Sequence, residues 1–300
     1  MGIPTIKSYP MPTAPDLPEN KVSWQVEPDR AVLLIHDMQQ YFIDFYHADQ
    51  SPITELVQHI VSLKRQCKAL GIPVVYTAQP GDQDPSDRAL LTDFWGDGLA
   101  DDQNVTKMVD ELMPEDNDLV LTKWRYSAFK KSNLLEILQE QGRDQLIICG
   151  VYAHIGCLIT ANEAFMNDVQ SFFVADAVAD FSLDEHKMAM NYVAKRCGVT
   201  ISTASLMDDL QNAKDMSAGG VAHALTFEGV REQAAELLDI PASELSDTDD
   251  LMMMGLDSIR LMSLVEEWRQ VGVDVNFMEI VKKRTLSDWW SLISKSKQEI

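Results

Sequence analysis

QLIICGVYAHIGC, residues 145–157, is the stretch whose reading decides the fold. Behind Gln145 it opens with an apolar, β-branched run of strand length, too apolar for a strand exposed to water. Gly150 follows at once, and LITANEAFMND (158–168) then has the apolar spacing of a helix. A buried strand that turns at a glycine into a helix is the unit from which parallel sheets are assembled. The turn also holds Cys157, a thiol just beyond a strand end, with Gly156 one place earlier. Which of these two faces the rim of the sheet decides the chemistry.

Outward from this unit the pattern repeats. Short apolar runs at 31–35, 73–77, 118–122, 145–149, 171–175 and 198–202 read as strands. Amphipathic stretches at 53–70, 132–141, 156–167 and 184–196 read as helices between them, the first stopped by Gly71 and Pro73. The alternation predicts an α/β domain over residues 1–208, a doubly wound parallel six-stranded sheet. It ends after about residue 205, where DDLQNAKDMSAGGVAHA (208–224) is small, polar and glycine-bearing, so that 209–221 reads as a linker. Residues 222–297 then read as helices only, at 223–238, 258–271, 276–282 and 285–295, a small all-α four-helix domain.

Composition narrows the function. The chain has 300 residues, 46% of them apolar, and a net charge of −22. That charge argues against nucleic acid, whose binding rests on basic contacts to phosphate, and suits basic protein partners. The four cysteines, Cys67, Cys149, Cys157 and Cys197, form no CxxC pair, so a reduced, cytoplasmic protein is expected. The proline-rich start lacks the apolar core of a signal peptide, and no apolar run approaches the roughly 20 residues that cross a bilayer, so no membrane is expected. The sequence is compatible with a homo-oligomer.

Ligands of open parallel sheets bind beyond the carboxyl ends of the strands, where the strand order reverses. After the first strand comes HDMQQYF with Asp37, after the third KWRYSAF with Lys123, and after the fourth the Gly156–Cys157 turn. Asp37 is equally suited to capping a helix, and Lys123 to pointing at solvent. Their joint placement at strand ends, with Phe42, Trp95, Trp124, Tyr126 and Tyr152 close by in sequence, favours one pocket.

Here LLIHDMQ (33–39), LTKWRYSAF (121–129) and GVYAHIGC (150–157) resemble the three active-site segments of the isochorismatase-like, or cysteine hydrolase, superfamily. In its amidase members an Asp, a Lys and a Cys form the catalytic set, the Cys following Thr-Asp-X at a helix start. That pattern falls on Ala153, His154 and Ile155, which places Gly156 over the nucleophile and Cys157 one residue late. One residue is about 100° around a helix, so Cys157 is expected to face the core.

Without a nucleophile the resemblance implies the isochorismatase branch, which cleaves a vinyl ether. The catalytic set becomes Asp37, Lys123 and Gly156, with Asp37 as general acid and the glycine leaving room for substrate and water. Lys123, by lowering the acid's pKa or by binding a substrate carboxylate, fits either role. The resemblance further implies that Gln79, Arg88 and Lys123 hold the carboxylates and enolpyruvyl oxygen of isochorismate. Phe42, Trp95, Tyr126, Val151 and Tyr152 would complete the wall, with a cis peptide at Val151–Tyr152. No metal is expected: the loop 79–89 has no histidine, His36 should point away from Asp37 by strand alternation, and His154 and His186 lack ligand-spaced partners.

DLMMMGLDSIRLMSLVEEW (250–268) reads first as a capped amphipathic helix, with Asp257 or Ser258 as cap and Ile259, Leu261, Met262, Leu264 and Val265 as its apolar face. Gly255–Ile259 also resembles the carrier-protein motif of nonribosomal peptide synthetases, whose serine, here Ser258, receives 4′-phosphopantetheine. The two halves together resemble bifunctional isochorismatase and aryl carrier proteins of catechol siderophore synthesis. That implies release of 2,3-dihydro-2,3-dihydroxybenzoate and pyruvate, and carriage of 2,3-dihydroxybenzoate as a thioester. The implied partners are a phosphopantetheinyl transferase, the aryl-adenylating ligase and a condensation domain, meeting the start of the Ser258 helix, the Met252–Met254 loop and the helix after 276. A cysteine-dependent amidase of the same fold, or a non-catalytic scaffold presenting a carrier domain, are the competing readings.

Overall fold

The computed structural model describes residues 2–224, 226–270, 273 and 275–296. The chain divides into two compact units, Met1–Ala213 and Lys214–Ile300. In the first, six strands form one parallel sheet: β1 (Ala31–His36), β2 (Val74–Ala78), β3 (Leu119–Thr122), β4 (Gln145–Val151), β5 (Gln170–Ala179) and β6 (Gly198–Ile201). Their order is β3-β2-β1-β4-β5-β6, so the winding reverses between β1 and β4. That gap is where such sheets hold their ligands.

Burial on both faces explains why the strands read as continuous apolar runs. Along β1, Ala31, Leu33 and Ile35 enter one core layer, while Val32 and Leu34 enter the opposite one. β4 repeats this, with Ile147 and Cys149 on the first side and Leu146 and Ile148 on the second. Each such side chain taken fully from water contributes about 1.5–3 kcal/mol against the entropy of ordering the chain. β3 differs, since it lies at the edge and leaves Leu119 and Val120 exposed.

The helix Ile53–Ala69 buries Ile53, Leu56, Ile60, Leu63 and Cys67, a stripe spaced by three and four that covers the first layer. The helix Leu158–Met166 covers the second with Leu158, Ala161 and Ala164. It is entered through a wide turn, Ala153–Cys157, closed by the Cys157 N–H on the Tyr152 carbonyl. The helix therefore begins two residues later than the spacing suggested. The stretch 209–221 is not irregular: it lies inside a continuous helix, Thr203–Ala224. Its alanines, glutamine and lysine favour helix, and two glycines at about 1 kcal/mol each do not reverse that preference.

The second unit holds helices Phe227–Leu237, Ser258–Gln270, Phe277–Lys282 and Leu286–Ser296. Trp268 and Trp289 meet edge to face at its centre, ring centroids 5.9 Å apart, among Val230, Leu251, Leu261 and Ile293. On the Ser258 helix Leu261, Leu264 and Val265 are buried as expected, but Met262 is exposed, and the Ile259 side chain lies outside the described residues.

Candidate active site

Asp37 follows β1 directly, with φ 49°, in the left-handed region. Aspartate tolerates this conformation better than most residues. The register sets its partner, because His36 of β1 pairs with Thr77 of β2. The Thr77 hydroxyl donates to Asp37 Oδ1 at 2.6 Å and accepts from the Asp37 N–H at 3.1 Å. Lys123, just past β3, donates to Asp37 Oδ2 at 2.8 Å, and both side chains are buried. Burial alone would raise the Asp37 carboxyl. The Lys123 ammonium, His36 and the two hydrogen bonds outweigh it and hold the group below the ordinary carboxylate range.

The ten residues assigned to this site from the sequence, Ser258 apart, all line one pocket of about 570 Å³ at the gap between β1 and β4. Arg88 closes one side. Its Nε donates to the Gly96 carbonyl, while its buried Nη1 has no hydrogen-bond partner among the described residues. An unpartnered, desolvated guanidinium N–H is a ready donor for a carboxylate. Gln79 is placed through its backbone, which Gln39 grips from both sides: Gln39 Oε1 accepts from the Gln79 N–H and Gln39 Nε2 donates to its carbonyl. Trp95 donates from its indole to the Tyr126 hydroxyl at 2.9 Å. The Tyr152 hydroxyl donates to the Phe42 carbonyl, and its ring stands 6.0 Å from that of Phe42. The peptide between Val151 and Tyr152 is cis, as the resemblance implied.

Several participants were not singled out in the sequence. Thr77 and Gln39 hold Asp37 and Gln79, and Tyr41 and Phe181 complete the wall, Phe181 lying 4.6 Å from Tyr152 between ring centroids. Phe181 follows β5, so a list of aromatic residues after every strand end would have found it.

Cys157 is fully buried in the second core layer and is not among the pocket's lining residues. Burial pushes its thiol well above the ordinary range. Two expectations need correction. Gly156 does line the pocket, but the position a side chain there would take is not open, because the His36 imidazole fills it. Nor does His36 point away from Asp37: its Nδ1 lies 3.7 Å from Asp37 Oδ2. Strand alternation requires an extended chain, and the left-handed turn at Asp37 ends it.

His154, expected to be without partners, meets Asp180 and Glu185, with potential ligand atoms all within 4.8 Å of one another. These groups are already engaged. Asp180 accepts from the His154 and Phe181 N–H groups and pairs with His154 Nδ1, and Glu185 accepts from the Ser182 hydroxyl. The cluster ties the turn after β4 to the loop after β5. In the second unit, Ser258 is exposed at the first position of its helix, and Asp257 caps that helix by accepting from the Arg260 N–H. An exposed hydroxyl beside a cap formed by its neighbour is open to attachment of a phosphopantetheine arm.

Comparison with known proteins agrees with this geometry. Residues 31–205 match the isochorismatase domain model, and 228–293 match the phosphopantetheine attachment site model. Isochorismatase of Bacillus subtilis is 56% identical, over 100% of this chain and 98% of that protein. Enterobactin synthase component B of Escherichia coli K12 is 46% identical, over 98% and 99%. A solved cysteine hydrolase from Pseudomonas syringae shares the fold at 22% identity, with a TM-score of 0.59 over 64% of this chain and 97% of its own. The chain belongs to the isochorismatase family, with a phosphopantetheine attachment domain following the isochorismatase domain.

Proposed function

We propose that Asp37 protonates the terminal methylene of isochorismate's vinyl ether, and that Ser258 bears the phosphopantetheine arm. The chain is an isochorismatase and a carrier protein of siderophore biosynthesis. Proton transfer to the methylene carbon leaves an oxocarbenium ion. Water adds to it, gives up a proton to the Asp37 carboxylate, and the resulting hemiketal collapses. The enolpyruvyl group leaves as pyruvate and the ring as 2,3-dihydro-2,3-dihydroxybenzoate. No bond to the polypeptide forms at any stage.

The observation that carries this reading is the buried Asp37–Lys123 pair at 2.8 Å, in one pocket with Arg88, whose Nη1 has no hydrogen-bond partner among the described residues. Lys123, His36 and the Thr77 hydroxyl keep Asp37 ionised, so the substrate itself must make the acid. Its two carboxylates have Arg88 and Lys123 to bind. Once a carboxylate engages Lys123, burial becomes the dominant influence on Asp37 and favours its protonated form. The aromatic wall of Phe42, Trp95, Tyr126 and Tyr152 shields the cation from bulk water.

In the second unit, the attached arm supplies a terminal thiol able to hold an aryl acid as a thioester. Asp257 fixes the helix start, and exposed Met253, Met254 and Met278 offer an adaptable surface for the transferase, the aryl-adenylating ligase and a condensation domain. The four buried, unpaired cysteines suit residence in the cytoplasm.

Pyruvate release from isochorismate, followed in the full chain, tests the first half. Asp37→Asn should reduce kcat by about 10²–10⁴-fold, the range of a general acid. Residual activity within about tenfold of wild type would remove Asp37 from that role. Incubation with a phosphopantetheinyl transferase and coenzyme A, read by intact mass, tests the second. Ser258→Ala should abolish the adduct, and an adduct that persists would place the arm elsewhere.

A further inference from the structure

The His36 imidazole is fully buried and takes no part in the steps above, yet it stands between the acid and the turn that distinguishes this pocket. Its Nδ1 lies 2.8 Å from the Val151 carbonyl. A carbonyl only accepts, so Nδ1 carries the hydrogen in the neutral ring. Nε2 has no hydrogen-bond partner among the described residues. The ring edge opposite the backbone presses on Gly156: a Cβ there would stand 2.1 Å from His36 Cε1, 2.8 Å from Nε2 and 3.0 Å from Nδ1. The ring has little freedom to withdraw. Gly150 packs against the His36 backbone on the neighbouring strand, where a Cβ would meet the His36 carbonyl oxygen at 2.1 Å.

We propose that His36 is the specificity-determining residue of this pocket: its ring occupies the volume that any side chain at position 156 would need, so no nucleophile can stand beside Asp37 and Lys123, and the site is confined to proton transfer. Glycine at 156 is then a consequence of histidine at 36. The missing thiol is enforced by a neighbour rather than by the glycine alone. Because Asp37 is the next residue, with its carboxylate 3.7 Å from the ring, any displacement of His36 also displaces the acid. This inference deepens the hydrolysis reading and rests on it only where activity is measured.

A double-mutant cycle in the full chain tests it, using His36→Asn and Gly156→Ala. Asparagine keeps an amide N–H where the imidazole has Nδ1, so the link to the Val151 carbonyl survives, but it ends short of Cε1 and Nε2. In the wild-type background G156A should lower the melting temperature and reduce kcat by about tenfold or more, with KM changed less than kcat because His36 touches no substrate. In the H36N background the same substitution should change kcat by less than about twofold and leave the melting temperature nearly unmoved, a coupling of the kind neighbours in contact show. Equal losses in both backgrounds, or a G156A protein as stable and active as wild type, would overturn the proposal. Should H36N not fold, His36→Ser with Gly156→Ala repeats the cycle. A wild-type chain that releases no pyruvate would count against the hydrolysis reading alone, since the melting-temperature cycle needs no substrate.

Discussion

Before any substrate arrives, both oxygens of Asp37 are taken, Oδ1 by the Thr77 hydroxyl and Oδ2 by the Lys123 ammonium. A group held this way is a poor acid at neutral pH, and Lys123 is the strongest influence keeping it so. Lys123→Met should leave burial dominant, raise the Asp37 pKa and move the alkaline fall of kcat to higher pH. The sign follows because the acid must carry its proton, and a higher pKa keeps it protonated further up the scale. KM should rise as well, by about tenfold, if the ammonium also holds a carboxylate. A pH profile of pyruvate release checks this, and an unmoved limb would show that Lys123 only binds. The carboxylate at the first strand end was legible in HDMQQYF, and its ammonium partner in KWRYSAF. Thr77 was not, because the end of PVVYT becomes a neighbour only once β2 lies in register beside β1. His36 was hidden for a different reason, since alternation along a strand says nothing about a residue that precedes a left-handed turn.

At the scale of elements, the turn after β4 and the loop after β5 are joined by His154 and Asp180. Burial works against a charged imidazole at His154, but the Asp180 hydrogen bond and charge outweigh it and raise its pKa above the ordinary 6.5. A group raised in the folded state stabilises fully below its unfolded pKa and loses that contribution as pH rises through the folded value. The melting-temperature gap between wild type and His154→Ala should therefore be widest below about pH 6.5 and close towards alkaline pH. A gap independent of pH would reduce the pair to packing. In the second unit, Asp257→Ala should destabilise the Ser258 helix by about 1 kcal/mol, the ordinary worth of a cap, measurable by urea unfolding. Strand positions were readable throughout because burial on both faces leaves uninterrupted apolar runs, whereas 209–221 misled: its serine and glycines suggest a linker, yet its alanines, glutamine and lysine carry the helix through them.

Across the whole molecule, two separate cores carry two tasks. Trp268 anchors the second core with Trp289, and its indole donates to Gln233. Trp268→Ala should destabilise that unit by about 3–5 kcal/mol and impair phosphopantetheine attachment. Pyruvate release should stay within about twofold of wild type, since Asp37, Lys123 and Arg88 all lie in the other unit. A parallel loss of pyruvate release would mean that the two units are energetically linked. The division of labour was visible as a change of periodicity after the sixth strand, which needs no knowledge of either site. All four sulfhydryl groups of the chain are buried within the first unit. A bulky maleimide dye should therefore find nothing to label on the unmodified polypeptide, and one equivalent once the prosthetic arm is present and uncharged. Acylation would mask that equivalent again, so simple dye stoichiometry reports the loading state of the molecule.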